Sequence, residues 1–168
     1  MAADKKPFLF SRLQAPIQSF LRPAIWVPGL RNVHTVKEEW TIEASPGDAF
    51  DKAIEAIEEV KKQEEFVQVH MINKDSREIR LFYFTSKAQW LDIMELHFKR
   101  GLDDETAIVD ARSFSSGLLP VCIPLSFVLN TVFFFFPFLD HDFNSKRLSA
   151  FRQAMGVGIT LNSQCRGY

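Results

Sequence analysis

Apolar and polar positions alternate or recur along most of this chain, and the rhythm names the elements. Val36, Trp40 and Ile42 alternate with Lys37, Glu39, Thr41 and Glu43, the pattern of a half-exposed strand. Ser45-Pro46-Gly47-Asp48 then reads as a helix start: a serine N-cap, proline at the first helical position, and a carboxylate near the free amides. The helix is expected to run to about Lys62, with Phe50, Ile54, Ile57 and Val60 on one face and a solvated charged face opposite. Four strands follow: Phe66 to Ile72, Glu78 to Phe84, Gln89 to Phe98 and Thr106 to Arg112. Asn73-Lys74-Asp75-Ser76 turns the first into the second. A last helix spans about Asn144 to Met155, with Leu148, Phe151 and Met155 facing the sheet. Hairpin-length connections favour an antiparallel sheet of about five strands with helices on one face, an α+β domain.

One stretch breaks the rhythm. Between Arg112 and Asp140 there is no charge, and Gly117 to Leu139 is almost wholly apolar, with four consecutive phenylalanines at Phe133 to Phe136. Three readings compete. It is long enough for one helix to cross the ~30 Å hydrocarbon core of a bilayer, although Pro120, Pro124 and Pro137 each delete a backbone donor. It could form a membrane-dipping hairpin, with Pro124 and Pro137 on either side of Asn130 and Thr131. It could also be buried, although it is long for a core strand. Leu118, Phe127, Phe133, Phe134, Phe135 and Phe136 are the side chains such an insert would present to lipid.

Met1 to Arg31 forms a separate, basic and nearly acid-free arm. Leu13, Ile17, Phe20 and Leu21 recur there at helical spacing across Pro16. Such a start suits an interfacial anchor, a mitochondrial presequence, or an arm packed across the domain. The domain then covers residues 32–155, interrupted by the apolar insert 117–139, and 156–168 is expected to be a loose tail. At 168 residues, with Lys+Arg 20 against Asp+Glu 21, the balance is nearly neutral and no nucleic-acid motif is present. Cys122 and Cys165 make neither a disulfide framework nor a zinc site, which favours a reducing compartment. Asp140-His141-Asp142 lacks a second cluster to complete a metal site. The sequence calls for no cofactor.

The run Asp110-Ala-Arg112-Ser113-Phe-Ser115-Ser-Gly117, followed by Asp140-x-x-x-Asn144-x-x-Arg147-Leu148, resembles the domain of unknown function 1499 family. Thr85 to Arg100, with Trp90 and Asp92, is similar as well, and the likeness covers about Val36 to Met155. Ser116 stands where that family usually has arginine, Asp142 where it usually has glycine, and the apolar stretch is inserted between the two halves of the motif. If both halves belong to one fold, the ends of the insert lie on one side of any bilayer, which argues against a single crossing. Asp110 and Arg112 share a strand face and Asn144 and Arg147 a helix face, so a network tying sheet to helix is expected. Catalysis by Ser113 or Ser115 with Asp110 and His141 is the weaker reading. By analogy of fold, the order of elements is similar to helix-grip proteins that hold apolar ligands between sheet and terminal helix. The expected function is accordingly non-enzymatic: membrane-associated binding of a lipid or other apolar ligand, with Phe82, Phe84, Trp90 and Met94 lining the site. The alternative is an accessory or assembly subunit of a membrane protein complex.

Overall fold

The computed structural model describes residues 6–21, 34–64, 66–133 and 142–167. Its centre is a six-stranded antiparallel sheet in the order β2-β3-β4-β5-β1-β6. The strands are β1 (Thr35–Ile42), β2 (Val67–Asn73), β3 (Glu78–Phe84), β4 (Leu91–Arg100), β5 (Ala107–Ser115) and β6 (Ile159–Gly167). Four helices are described: α1 (Leu9–Leu21), α2 (Pro46–Gln63), α3 (Ser126–Val132) and α4 (Phe143–Met155). The sixth strand lies in the segment expected to be a loose tail. It pairs with β1 from Thr35↔Gly167 to Ile42↔Ile159, with a shift between Glu39 and Trp40.

One face of the sheet carries the main core. The period-2 alternation of β3 and β4 sends Leu81, Tyr83, Met94 and Phe98 to this side, where they meet α2 and α4. Ser45 caps α2 as its sequence demands, its Oγ accepting from the Asp48 amide at 3.2 Å. Alanines 49, 53 and 56 on the buried face let the helix lie close to the sheet, and Phe50 packs edge-on to Phe98. Leu148, Phe151 and Met155 of α4 close the layer. Gly156, at φ 63°, ends α4 in the left-handed conformation that glycine adopts at least cost and turns the chain back into β6.

The opposite face is divided. Towards one end of the strands Phe82, Phe84, Leu91, Ile93 and Phe114 form a second apolar cluster, covered by Ala15 of α1 and by Val121. Towards the other end the same face is charged and open. α1 and α3 therefore make a third layer over half of the sheet.

Candidate functional site

The third layer is inside out. In α1 the buried residues are Ser11, Gln14, Ala15, Gln18 and Ser19. Leu9, Leu13 and Phe20 are 66%, 59% and 63% exposed. In α3 the buried residues are Ser126 and Asn130, while Val128, Leu129 and Val132 are exposed, as are Ile123 and Leu125 before them. A water-facing helix on a globular core shows the reverse arrangement.

Polar contacts fasten the two helices and the loop between them. The Asn130 amide donates to Gln18 Oε1 and to the Leu119 carbonyl, both at 2.9 Å, and accepts from the Leu119 N–H at 2.6 Å. Gln18 Nε2 donates to Ser116 Oγ at 2.5 Å, and Ser116 Oγ donates to the Leu91 carbonyl at 2.7 Å. Gln14 Nε2 donates to the carbonyls of Val121 and Ile123, each at 2.9 Å. Gly117 is required here because a Cβ would stand 2.2 Å from the Asn130 side chain. Ser11, Ala15 and Ser19 recur at intervals of four, so small side chains and buried amides make the contact.

The described part of the apolar stretch is a loop followed by a seven-residue helix lying on the surface; the second arm of the expected hairpin, towards Pro137, lies mostly outside the described residues, and among the described residues no helix is long and apolar enough to cross a membrane. A single crossing is also incompatible with Asn144, after the stretch, hydrogen-bonding Ser113 and Ser115 before it. Leu118 and Phe127 are half-buried and Phe133 is exposed. Phe134, Phe135 and Phe136 lie outside the described residues.

The four expected ligand-binding side chains do not converge. Phe82 and Phe84 belong to the second apolar cluster and Met94 to the core on the opposite face, because neighbouring strand positions point to opposite sides. Trp90 precedes β4, is 41% exposed, and donates from Nε1 to the Leu118 carbonyl at 2.7 Å. It borders the α1–α3 layer.

The motif residues separate in the same way. Ser113 Oγ donates to Asn144 Oδ1 at 2.6 Å, and Asn144 Nδ2 donates to Ser115 Oγ at 3.2 Å. Arg147 is buried against Asp92 and over the Tyr83 ring. Burial opposes the guanidinium charge, the Asp92 carboxylate outweighs it, and the Arg147 pKa is raised. Burial pushes the Tyr83 hydroxyl upwards. Sheet and helix are thus tied as expected, but by Asp92, Ser113 and Ser115. Asp110 and Arg112 point to the other face, where they pair with Lys99 and Glu95. With Arg80 and His97 they line an open groove of about 600 Å³ whose walls are charged. Asp140 and His141 lie outside the described residues. Ser113 and Ser115 both hydrogen-bond Asn144. Among the described residues no group of three His, Cys, Asp or Glu side chains is arranged for a metal ion.

No family model and no curated protein matches the chain. Solved structures similar to it include XoxI from Bacillus cereus, at 13% identity and a TM-score of 0.43 over 73% of this chain and 96% of that one. An uncharacterised protein of Bacillus thuringiensis overlaps at 12% identity and a TM-score of 0.42 over 72% and 98%. Ara h 8.0201 overlaps at 12% and 0.41 over 73% and 95%. Likeness at this level assigns neither a family nor a ligand.

Proposed function

We propose that this protein is a monotopic membrane-docking domain that lies on a bilayer through the outer faces of α1 and α3. The observation that carries the reading is the inverted polarity of the two helices: amides and hydroxyls face inward, and leucine, isoleucine, valine and phenylalanine face outward. Fully burying one large apolar side chain is worth about 1.5–3 kcal/mol. Half-burial of the side chains on this face therefore offers on the order of 10 kcal/mol before the costs of association. Solvent-exposed apolar patches of this extent mark interaction surfaces.

Geometry favours the interface of a bilayer over its interior. The 13 residues of α1 extend only about 20 Å, short of the ~30 Å hydrocarbon core. The apolar side chains project from two adjacent helices, as shallow insertion among acyl chains requires. An internal lipid site is not needed for this role, since the two apolar clusters beneath are filled by their own side chains.

Flotation of the full chain with phospholipid vesicles tests the reading. The wild-type protein is expected to rise with vesicles, and the combined L13S, F20S and V132S variant to remain in the dense fraction with an unchanged circular dichroism spectrum. A wild-type chain that stays below with every vesicle composition, and sediments as a dimer that the same variant dissociates, would make the face a self-association surface instead.

A further inference from the structure

Among the described residues the rim of the apolar face carries unpaired positive charge and no negative charge. Lys6 and Arg12 are exposed beside the apolar anchors of α1, and on the helical circle Arg12 falls at the border of the apolar arc. Lys87 is exposed in the β3–β4 turn, which is joined to the start of α1 by the bond from the Phe8 amide to Gln89 Oε1 at 3.0 Å. Among the described residues none of the three holds an ion pair. Elsewhere several basic side chains are neutralised, as in Lys52–Glu55 on α2, Lys99–Asp110 on the sheet and Arg152–Glu38 between α4 and β1. α1, the turn 85–90 and the segment 117–133 contain no Asp or Glu at all. Trp90 in the same turn presents a half-exposed ring beside Lys87, as aromatic residues do at the headgroup level.

Resting on the membrane-docking reading, we infer that the docking face selects anionic phospholipid, with Lys6, Arg12 and Lys87 meeting headgroup phosphates and carboxylates while the apolar side chains enter the acyl region. The long aliphatic stems of lysine and arginine let the charge reach the headgroups from the edge of an inserted face. A cation held near an anionic leaflet strengthens binding roughly fivefold, so the three together are worth on the order of a hundredfold. A carboxylate on this face would cancel part of that gain, and the described residues place none there.

The experiment compares binding of the full chain to vesicles of phosphatidylcholine alone and of phosphatidylcholine with phosphatidylserine, at low and at high salt. Tight binding to the anionic vesicles, weakened by salt and weaker by on the order of a hundredfold on the neutral ones, is the expected result. The triple variant Lys6→Gln, Arg12→Gln, Lys87→Gln is expected to bind anionic vesicles no better than the wild type binds neutral ones. Lys74→Gln, in the β2–β3 turn at the other end of the sheet, should leave the preference intact. Equal binding to both vesicle types overturns the charge selection while the docking reading stands. Binding to neither overturns both.

Discussion

At the scale of single residues the fold rests on a few buried polar commitments. Asp92 and Arg147 are each almost fully buried and form one ion pair between β4 and α4, with the guanidinium also lying 4.9 Å from the Tyr83 ring centroid. Removing one partner strands the other charge in the core, so Asp92→Ala is expected to destabilise the protein by about 3–5 kcal/mol in urea unfolding. The double replacement Asp92→Leu, Arg147→Met should cost much less, because no orphaned charge remains. His70 is a gentler case. Its ring stacks on Phe82 at 4.2 Å, and burial first, then the Arg80 charge, hold its pKa below the ordinary 6.5. Just below pH 6.5 the unfolded chain therefore binds the proton more readily than the folded one. The resulting stabilisation is complete above the unfolded value and is lost as pH falls through the folded one. His70→Phe keeps the stack and should flatten the pH dependence of the denaturant midpoint in that window; a shift of its NMR titration above 6.5 would contradict the sign.

At the scale of elements, the seam between α1 and the 116–130 segment is the layer most easily opened. It is held by amides, and Ser11 Oγ, Gln14 Oε1 and Ser126 Oγ are buried in it with no partner among the described residues, each at a cost of about 1–3 kcal/mol. Asn130→Ala removes three hydrogen bonds at once. It is expected to raise amide hydrogen exchange in α1 and residues 117–133 while leaving α2 and α4 protected. Much of the architecture was legible beforehand. Ser45-Pro46 announced α2, the alternation of Glu78 to Phe84 matched β3, and Leu148, Phe151 and Met155 pointed α4 at the sheet. Three things were hidden, each for a physical reason. β6 is exposed along nearly its whole length, so no hydrophobic alternation marks it, and only backbone pairing to β1 defines it. Of the motif residues on β5, Asp110 and Arg112 were expected to meet the helix because they stood out as charges, whereas parity along the strand sends Ser113 and Ser115 inward. The apolar spacing in α1 was visible, but sequence periodicity does not say which side of a helix faces the protein. The serines and glutamines between the apolar positions carried that signal: Ser11, Ala15 and Ser19 with Gln14 and Gln18 form one face.

At the scale of the whole molecule the sheet separates two chemistries. On one side α2 shows water a face of exposed ion pairs, Lys52–Glu55, Lys61–Glu58 and Lys62–Glu59. Such pairs add little stability, but they keep that side hydrated and unsuited to lipid. On the other side α1 and α3 show an acid-free apolar surface with cations at its edge. On the proposed docking, α1 and α3 lie below, the sheet above them, and α2 and α4 farthest away in water. Hydrogen exchange of the full chain, free and bound to anionic vesicles, reads that orientation. Side-chain insertion does not create new backbone hydrogen bonds, but it excludes water from the helices that insert and suppresses their opening. Added protection is therefore expected in α1, in residues 117–133 and in the 85–90 turn around Trp90, and none in α2 or α4. The charged groove of Arg80, Glu95, Asp110 and Arg112 shares the sheet face with the docking layer but lies at the other end of the strands. Its strands should show unchanged exchange. Protection appearing on α2 instead would mean that the ion-paired face meets the vesicle, and the inverted helix pair would then need a different partner.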